Sequence, residues 1–284
     1  MEKEAGNPET AGQKSIKMMK FKVMCIASAI AVGGLAPPVA SAQRTSLRVC
    51  ADPDYLPFSN QAGEGFENKV AESVAKALGQ RLEYTWANTR SRGGFTEFLA
   101  RTLDAKKCDA VMGIPSGNRE ELTTRPYYIS SYVFVFKKSK NYDIKNMDSP
   151  ILKQLKIGVE GDTPVEDGLK LRGLLARASV FDVGSTSGES PATMLDVLDK
   201  GQIDVLITWE PAIGRFLSRF PGLDVVGVPN TRALGSPEQY VFPISMGVRE
   251  GDEAMKKQLD QVIVGREAEI TAILTRYGVK LYTP

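Results

Sequence analysis

The feature that most restricts the fold is a strand, helix, strand, helix, strand pattern that occupies residues 47–113 and begins again at residue 156. Residues 47–51 are apolar and β-prone, and the turn chemistry of Asp52-Pro53-Asp54 stops them. Phe66, Val70, Ala71, Val74, Ala75 and Leu78 then share one helical face ahead of Gly79, and Leu82, Tyr84 and Trp86 alternate as a strand. Phe95, Phe98, Leu99, Thr102 and Leu103 return to helical spacing, and residues 109–113 read as a buried strand. The second run places strands at 156–159, 180–183, 204–208 and 223–228. Between them lie a helix capped by Thr163 with Pro164 as its first residue, a helix from Ser190-Pro191 to Leu198, and one opening at Pro211. Such alternation calls for mostly parallel sheets covered on both faces, and hence for a two-lobed α/β fold.

Two apolar, strand-prone runs, 132–136 and 240–245, flank the second pattern. Beyond the second run only a long helical stretch, 252–276, remains, too little for a third domain. The chain is therefore expected to build lobe one over 43–131, cross at 132–136, build lobe two over 137–239, cross back at 240–245 and return to lobe one over 246–284. Two adjacent crossover strands have the geometry of a hinge.

The N-terminus adds a destination. Lys14, Lys17, Lys20 and Lys22 precede an apolar run from residue 23 to 36 that ends in Ala40-Ser41-Ala42, which is the order of a secretory signal over 1–42, with Met18 or Met19 as an alternative start. That run is too short to cross a bilayer, and no other segment is long and apolar enough to do so. Removing 1–42 takes away five Lys and three Glu, so the chain's net +2 leaves with it and the exported protein is near neutral. Neither a nucleic-acid footprint nor a polybasic membrane anchor is expected; the molecule is expected to be a monomer without a cofactor or metal.

Histidine is absent, which removes the commonest general base and metal ligand. Cys25 lies in the export segment, so Cys50 and Cys108 remain as an even pair in an oxidising compartment, where a disulfide is the default. The strand assignment sets Cys50 late in one strand and Cys108 at the start of its neighbour. A separation much beyond ~7 Å between their α-carbons would forbid the bond, so both states stay open.

In parallel sheets ligands gather outside the carboxyl ends of the strands. The candidates in lobe one are Asp52, Tyr55, Phe58, Gly113, Ile114, Pro115 and Ser116, with Arg119 either a carboxylate clamp or one of many solvated arginines. In lobe two they are Gly161, Asp162, Thr163, Ser185, Thr186, Trp209 and Glu210. Gly161-Asp162-Thr163-Pro164 is either an anion cradle at a helix start or an ordinary cap. The polar, basic loop 86–94 either rims the cleft or is solvated. Asp52, Glu64 and Glu210 are the available acids, and no pair has a spacing that argues for acid–base chemistry.

Six strings in order then resemble type II periplasmic solute-binding proteins: Leu47-Arg48-Val49-Cys50-Ala51-Asp52 with Pro57-Phe58, Gly65-Phe66-Glu67, and Cys108-Asp109-Ala110-Val111-Met112-Gly113. Arg125-Pro126-Tyr127-Tyr128, the run 157–163 and Gly201-Gln202-Ile203-Asp204-Val205 complete them. Leu56-Pro57-Phe58-Ser59-Asn60, Glu64-Gly65-Phe66-Glu67-Asn68, Glu83-Tyr84-Thr85-Trp86 and Thr123-Thr124-Arg125-Pro126 resemble, more narrowly, the MxaJ and XoxJ branch. That resemblance implies a non-catalytic periplasmic accessory of a PQQ-dependent methanol dehydrogenase, lanthanide-dependent forms included, with the enzyme, its cytochrome or a small molecule as partner. Amino-acid binders of the fold place an Asp where Trp209 stands here, so the charge anchor is either lost or moved to Glu210, which argues against a standard amino-acid receptor. Two alternatives stay open: the receptor of an ABC transporter, and a lyase-like enzyme of the kind represented by cyclohexadienyl dehydratase.

Overall fold

The structure, a computed structural model, describes residues 44–90, 93–119, 121–183 and 189–282. The export segment, Ser185 and Thr186 lie outside the described residues. Lobe one opens with β1 (Ser46–Ala51), a short hairpin of β2 (Asp54–Tyr55) and β3 (Ser59–Asn60), α1 (Phe66–Leu78), β4 (Arg81–Trp86), α2 (Gly94–Arg101), β5 (Ala110–Pro115) and β6 (Leu122–Thr123). The long strand β7 (Tyr128–Lys137) leads to β8 (Ile157–Glu160), α3 (Pro164–Leu171), β9 (Ser179–Phe181), α4 (Pro191–Asp199), β10 (Val205–Trp209), the single turn α5 (Glu210–Ile213) and β11 (Leu223–Gly227). The chain returns through β12 (Val241–Val248) and ends in α6 (Glu253–Gly265) and α7 (Glu267–Arg276).

The helices stand where residue chemistry puts them. On α1, Phe66, Val70 and Val74 are buried on one face, and Gly79 ends the helix at φ 67°, a left-handed conformation that costs glycine no Cβ clash. On α3 the Thr163 hydroxyl accepts the Glu166 N–H at 3.4 Å, with Pro164 in the first turn. The expected single helix over 252–276 is two: the chain breaks at Arg266, φ −121°, directly after Gly265. The break lets α7 lie against α1.

Strands run in the order β4-β1-β5-β12-β7-β10-β8-β9, with β6 on β12 and β11 on β7. The pairs β1–β4, β1–β5, β8–β10 and β8–β9 are parallel, and the strands that pair with β7 or β12 do so antiparallel. One strand joins the lobes. Residues 128–131 of β7 pair with 241–244 of β12, whereas 132–137 pair with β10 and β11. The partner change therefore falls between Ser131 and Tyr132, next to Val241.

Each lobe has its own core. In lobe one Leu47, Val49, Val70, Val74, Met246, Leu259 and Leu274 pack together. In lobe two β10 is buried on both faces, Val205 and Ile207 joining Phe134 and Leu169 on one side and Leu206 joining Val133 and Leu195 on the other. Full burial of each such side chain contributes about 1.5–3 kcal/mol. Among the described residues, Trp209 and Phe242 are the partly buried apolar side chains that pack against the main clusters of both lobes.

Candidate functional site

The carboxyl ends of β1, β5, β8 and β10 meet around a cavity of about 420 Å³. Asp52, Tyr55 and Phe58 enter it from the segment after β1, Met112, Gly113 and Pro115 from β5, and Glu160 and Thr163 from the end of β8. Trp209 closes β10, and β7 and β12 add Tyr128, Tyr132 and Phe242. The walls are largely aromatic. Tyr55 stacks on Phe58 at 4.8 Å between centroids, and Trp209 stands 5.0 Å from Tyr132 and 6.1 Å from Phe242.

The polar groups form a chain across the cleft. Asp52, buried after β1, accepts the Thr89 N–H at 2.7 Å and the Thr89 hydroxyl at 2.8 Å, which fixes the loop that carries Arg90. Arg90 reaches lobe two, donating from Nη1 to Glu160 Oε1 at 3.3 Å and from Nη2 to the Gly161 carbonyl at 3.3 Å. The Thr208 hydroxyl donates to the other Glu160 oxygen at 3.1 Å, and the Tyr55 phenol bonds with both Arg90 and Glu160. Burial raises the Glu160 carboxyl above the usual range, opposed by Arg90 and by the bonds from Thr208 and Tyr55. Burial also raises the Tyr55 and Tyr132 phenols, so both stay neutral.

Glu67, in the first turn of α1, is the second acid on the lobe-one wall. Burial first, then the Asp52 carboxylate, push it up to about 8. A helix start favours the charged form and opposes this, but among the described residues no cation faces the group in the way Arg90 faces Glu160. Its carboxyl lies against the bare α-carbon of Gly113, where φ is 76° and a Cβ would stand 2.3 Å from Glu67 Oε1. Glycine is required at that point on both counts.

Of the expected site residues that are described, Asp52, Tyr55, Phe58, Gly113, Pro115, Asp162, Thr163 and Trp209 line the cavity, and Ile114, Ser116, Arg119, Gly161 and Glu210 do not. Ile114 is wholly buried with Cys50, Phe98 and Cys108, one residue on from the glycine that faces the cleft. The Ser116 hydroxyl is bonded to that of Ser245, so it ties β5 to β12. Arg119 is exposed on the turn after β5, away from the cavity, and so is no clamp. Glu210 is buried, but it accepts the Lys280 N–H at 3.1 and 3.2 Å and the Ser130 hydroxyl at 3.5 Å. It holds the C-terminal segment instead of facing the cleft. The 161–164 turn is a cap: the Asp162 N–H goes to the Glu166 carboxylate at 2.7 Å.

The residues that sequence reasoning missed are Glu67, Arg90, Glu160, Tyr128 and Phe242. Arg90 lay in the basic loop weighed as rim or solvated, and its partner is 70 residues away. Cys50 and Cys108 are bonded, with α-carbons 5.5 Å apart, inside the permitted range. Cys50 pairs with Val111 in the sheet, so Cys108 has only to curl in from the turn before β5 to reach it. Among the described residues no cluster of His, Cys, Asp and Glu has the geometry of a metal site, and no helix is long and apolar enough to cross a membrane.

Comparison with known proteins returns a consistent group. The family model for bacterial extracellular solute-binding proteins, family 3, matches residues 47–280. Protein MoxJ of Methylorubrum extorquens is 32% identical over 248 residues, 82% of this chain and 81% of that protein. Protein MoxJ of Paracoccus denitrificans is 30% identical over 282 residues, 93% of this chain and 98% of that protein. The solved structure of periplasmic binding protein XoxJ from Methylobacterium extorquens AM1 is 33% identical and superposes with a TM-score of 0.65, covering 84% of this chain and 100% of that one.

Proposed function

The chain belongs to the bacterial extracellular solute-binding proteins, family 3, and from that premise we propose that it is a periplasmic accessory of a PQQ-dependent methanol dehydrogenase that also holds a small ligand between its lobes. It performs no chemistry of its own. Residues 1–42 export it and are removed. The lobes close about the partner change of β7 at Ser131–Tyr132 and the adjoining residues of β12, and Arg90 clasps Glu160 when they do.

The observation that carries this reading is the content of the cleft in a chain similar to MoxJ and XoxJ. Trp209 stands at the end of β10 where an amino-acid binder has its acid, and Arg119 is outside the cavity. A receptor for ordinary amino acids would need both groups. The carboxyls that do face the cavity are an interlobe ion-pair partner, Glu160, a loop anchor, Asp52, Glu67, and Asp162 on the turn that caps α3. The chain has no histidine, and among the described residues no second cation lines the cavity beside them in the arrangement that a hydrolase or a lyase would use to move protons.

Affinity capture of the tagged chain from the periplasm of cells grown on methanol, with mass spectrometry of proteins and small molecules, tests the proposal. The dehydrogenase is expected to be enriched over an untagged control. Recovery of the membrane subunits of a transporter without the dehydrogenase would replace this reading with that of a transport receptor.

A further inference from the structure

We propose that the cleft selects a small organic cation that has no carboxylate, an alkylammonium or quaternary ammonium group, seated among Tyr55, Phe58, Tyr128, Tyr132, Trp209 and Phe242. This deepens the small-ligand half of the function proposed above and rests on it.

Charge carries the first part of the argument. Asp52, Glu67, Glu160 and Asp162 line the cavity, while Arg90 is the basic side chain that does so among the described residues. Arg90 is committed to Glu160 and to the Gly161 carbonyl. An incoming carboxylate would compete for Arg90 with Glu160, which is 3% exposed and depends on that counter-ion. The cavity thus rejects the group that amino-acid ligands bring. Geometry carries the second part. Aromatic rings form much of the walls, three of them, Tyr132, Trp209 and Phe242, within 6.3 Å of one another. Faces of this kind attract a cation that has shed its water.

Glu67 supplies a signature. The described groups that face it are Asp52 just after β1, Tyr84 from β4, Tyr127 just before β7 and Tyr128 at its start, and none of them is a cation. Its carboxyl therefore holds its proton at neutral pH, being pushed up to about 8. A cation placed beside it favours the carboxylate, so the proton leaves to solvent as the ligand enters. Affinity then rises with pH up to about 8 and levels off above it.

Titration calorimetry at pH 7 with three matched probes decides the matter: choline, its neutral isostere 3,3-dimethyl-1-butanol, and glycine betaine, which adds a carboxylate. Choline is expected to bind about tenfold tighter than either of the others. Repeating the titration in buffers of different ionisation enthalpy should show the release of close to one proton. Glu67→Gln, which keeps shape and neutrality, is expected to abolish the release and weaken choline about tenfold. Equal binding of all three probes, tighter binding of betaine, no binding of any, or choline binding without proton release would each overturn the proposal. The wild-type proton count stands even if the variant does not fold. The dehydrogenase capture reads the accessory role separately, so that role can survive the failure of this inference.

Discussion

At Arg90 a single side chain carries both a contact between the lobes and the ionisation of a buried acid. Glu160 is 3% exposed, and burial pushes its carboxyl toward the protonated form, against which Arg90 is the first opposing group. Arg90→Met removes that opposition. Unfolded, Glu160 titrates near its ordinary value; folded, in the variant, it titrates higher, so the folded state prefers the proton and loses stability as pH rises. The variant is expected to cost about 3 kcal/mol near pH 8 and distinctly less near pH 5, read from urea midpoints at the two values. An equal cost at both would show that the pair does not control the ionisation of Glu160. The residue-level reading of the sequence found one side of this site better than the other. Tyr55, Phe58 and Trp209 were legible because they follow strand ends, where short-range pattern suffices. Arg90 and Glu160 were not, because their meaning lies in a contact between lobes. Ile114 and Glu210 were misplaced for the same reason: sequence position names the strand end, and only the sheet's curl decides which side chains turn into the cleft.

Among the elements, the C-terminal segment is the least expected. Gly214 at the end of α5 and Gly278 after α7 approach so closely that a Cβ on Gly214 would stand 2.4 Å from the Gly278 carbonyl oxygen. Lys280 then donates its N–H to Glu210, and the Tyr282 N–H reaches the Ile129 carbonyl on β7 at 3.1 Å. This segment straps the end of lobe one to the crossover. Burial pushes Glu210 up to about 7 from 4.5. The stability tied to its proton is complete below about pH 4.5 and is lost as pH rises through about 7. Glu210→Gln is therefore expected to match the wild type near pH 4.5 and to exceed it near pH 8 by up to about 3 kcal/mol. Parallel pH curves for the two proteins would count against the strap's acid. The disulfide is a second tie, between the end of β1 and the approach to β5, closing a loop with a separation of 58 residues. Reduction is expected to lower unfolding free energy by about 4 kcal/mol in the chain-entropy model, and an unchanged urea midpoint with reductant would refute that. Element by element, the strands and α1, α3 and α4 were legible because periodicity and caps are local. The β2–β3 hairpin and the break at Arg266 were not: the first is two residues per strand, and the second answers to packing against α1.

For the whole molecule the double α/β pattern was enough to indicate a two-lobed α/β fold, because such alternation leaves few ways to cover both faces of each sheet. The place where the lobes turn was less legible, since β7 runs unbroken from Tyr128 to Lys137 and changes only its partners. If closure turns on that change and on the Arg90 clasp, spin labels at Lys76→Cys on lobe one and Lys200→Cys on lobe two should give a longer, broader distance distribution when Arg90→Met is added. Superimposable distributions would mean that the clasp does not hold the lobes. The most direct test of the account is size-exclusion chromatography with light scattering on the purified chain mixed with its own organism's PQQ-dependent methanol dehydrogenase. Co-migration as a complex of defined mass is the expected result; two unshifted peaks at concentrations of tens of micromolar, with and without choline, would contradict it.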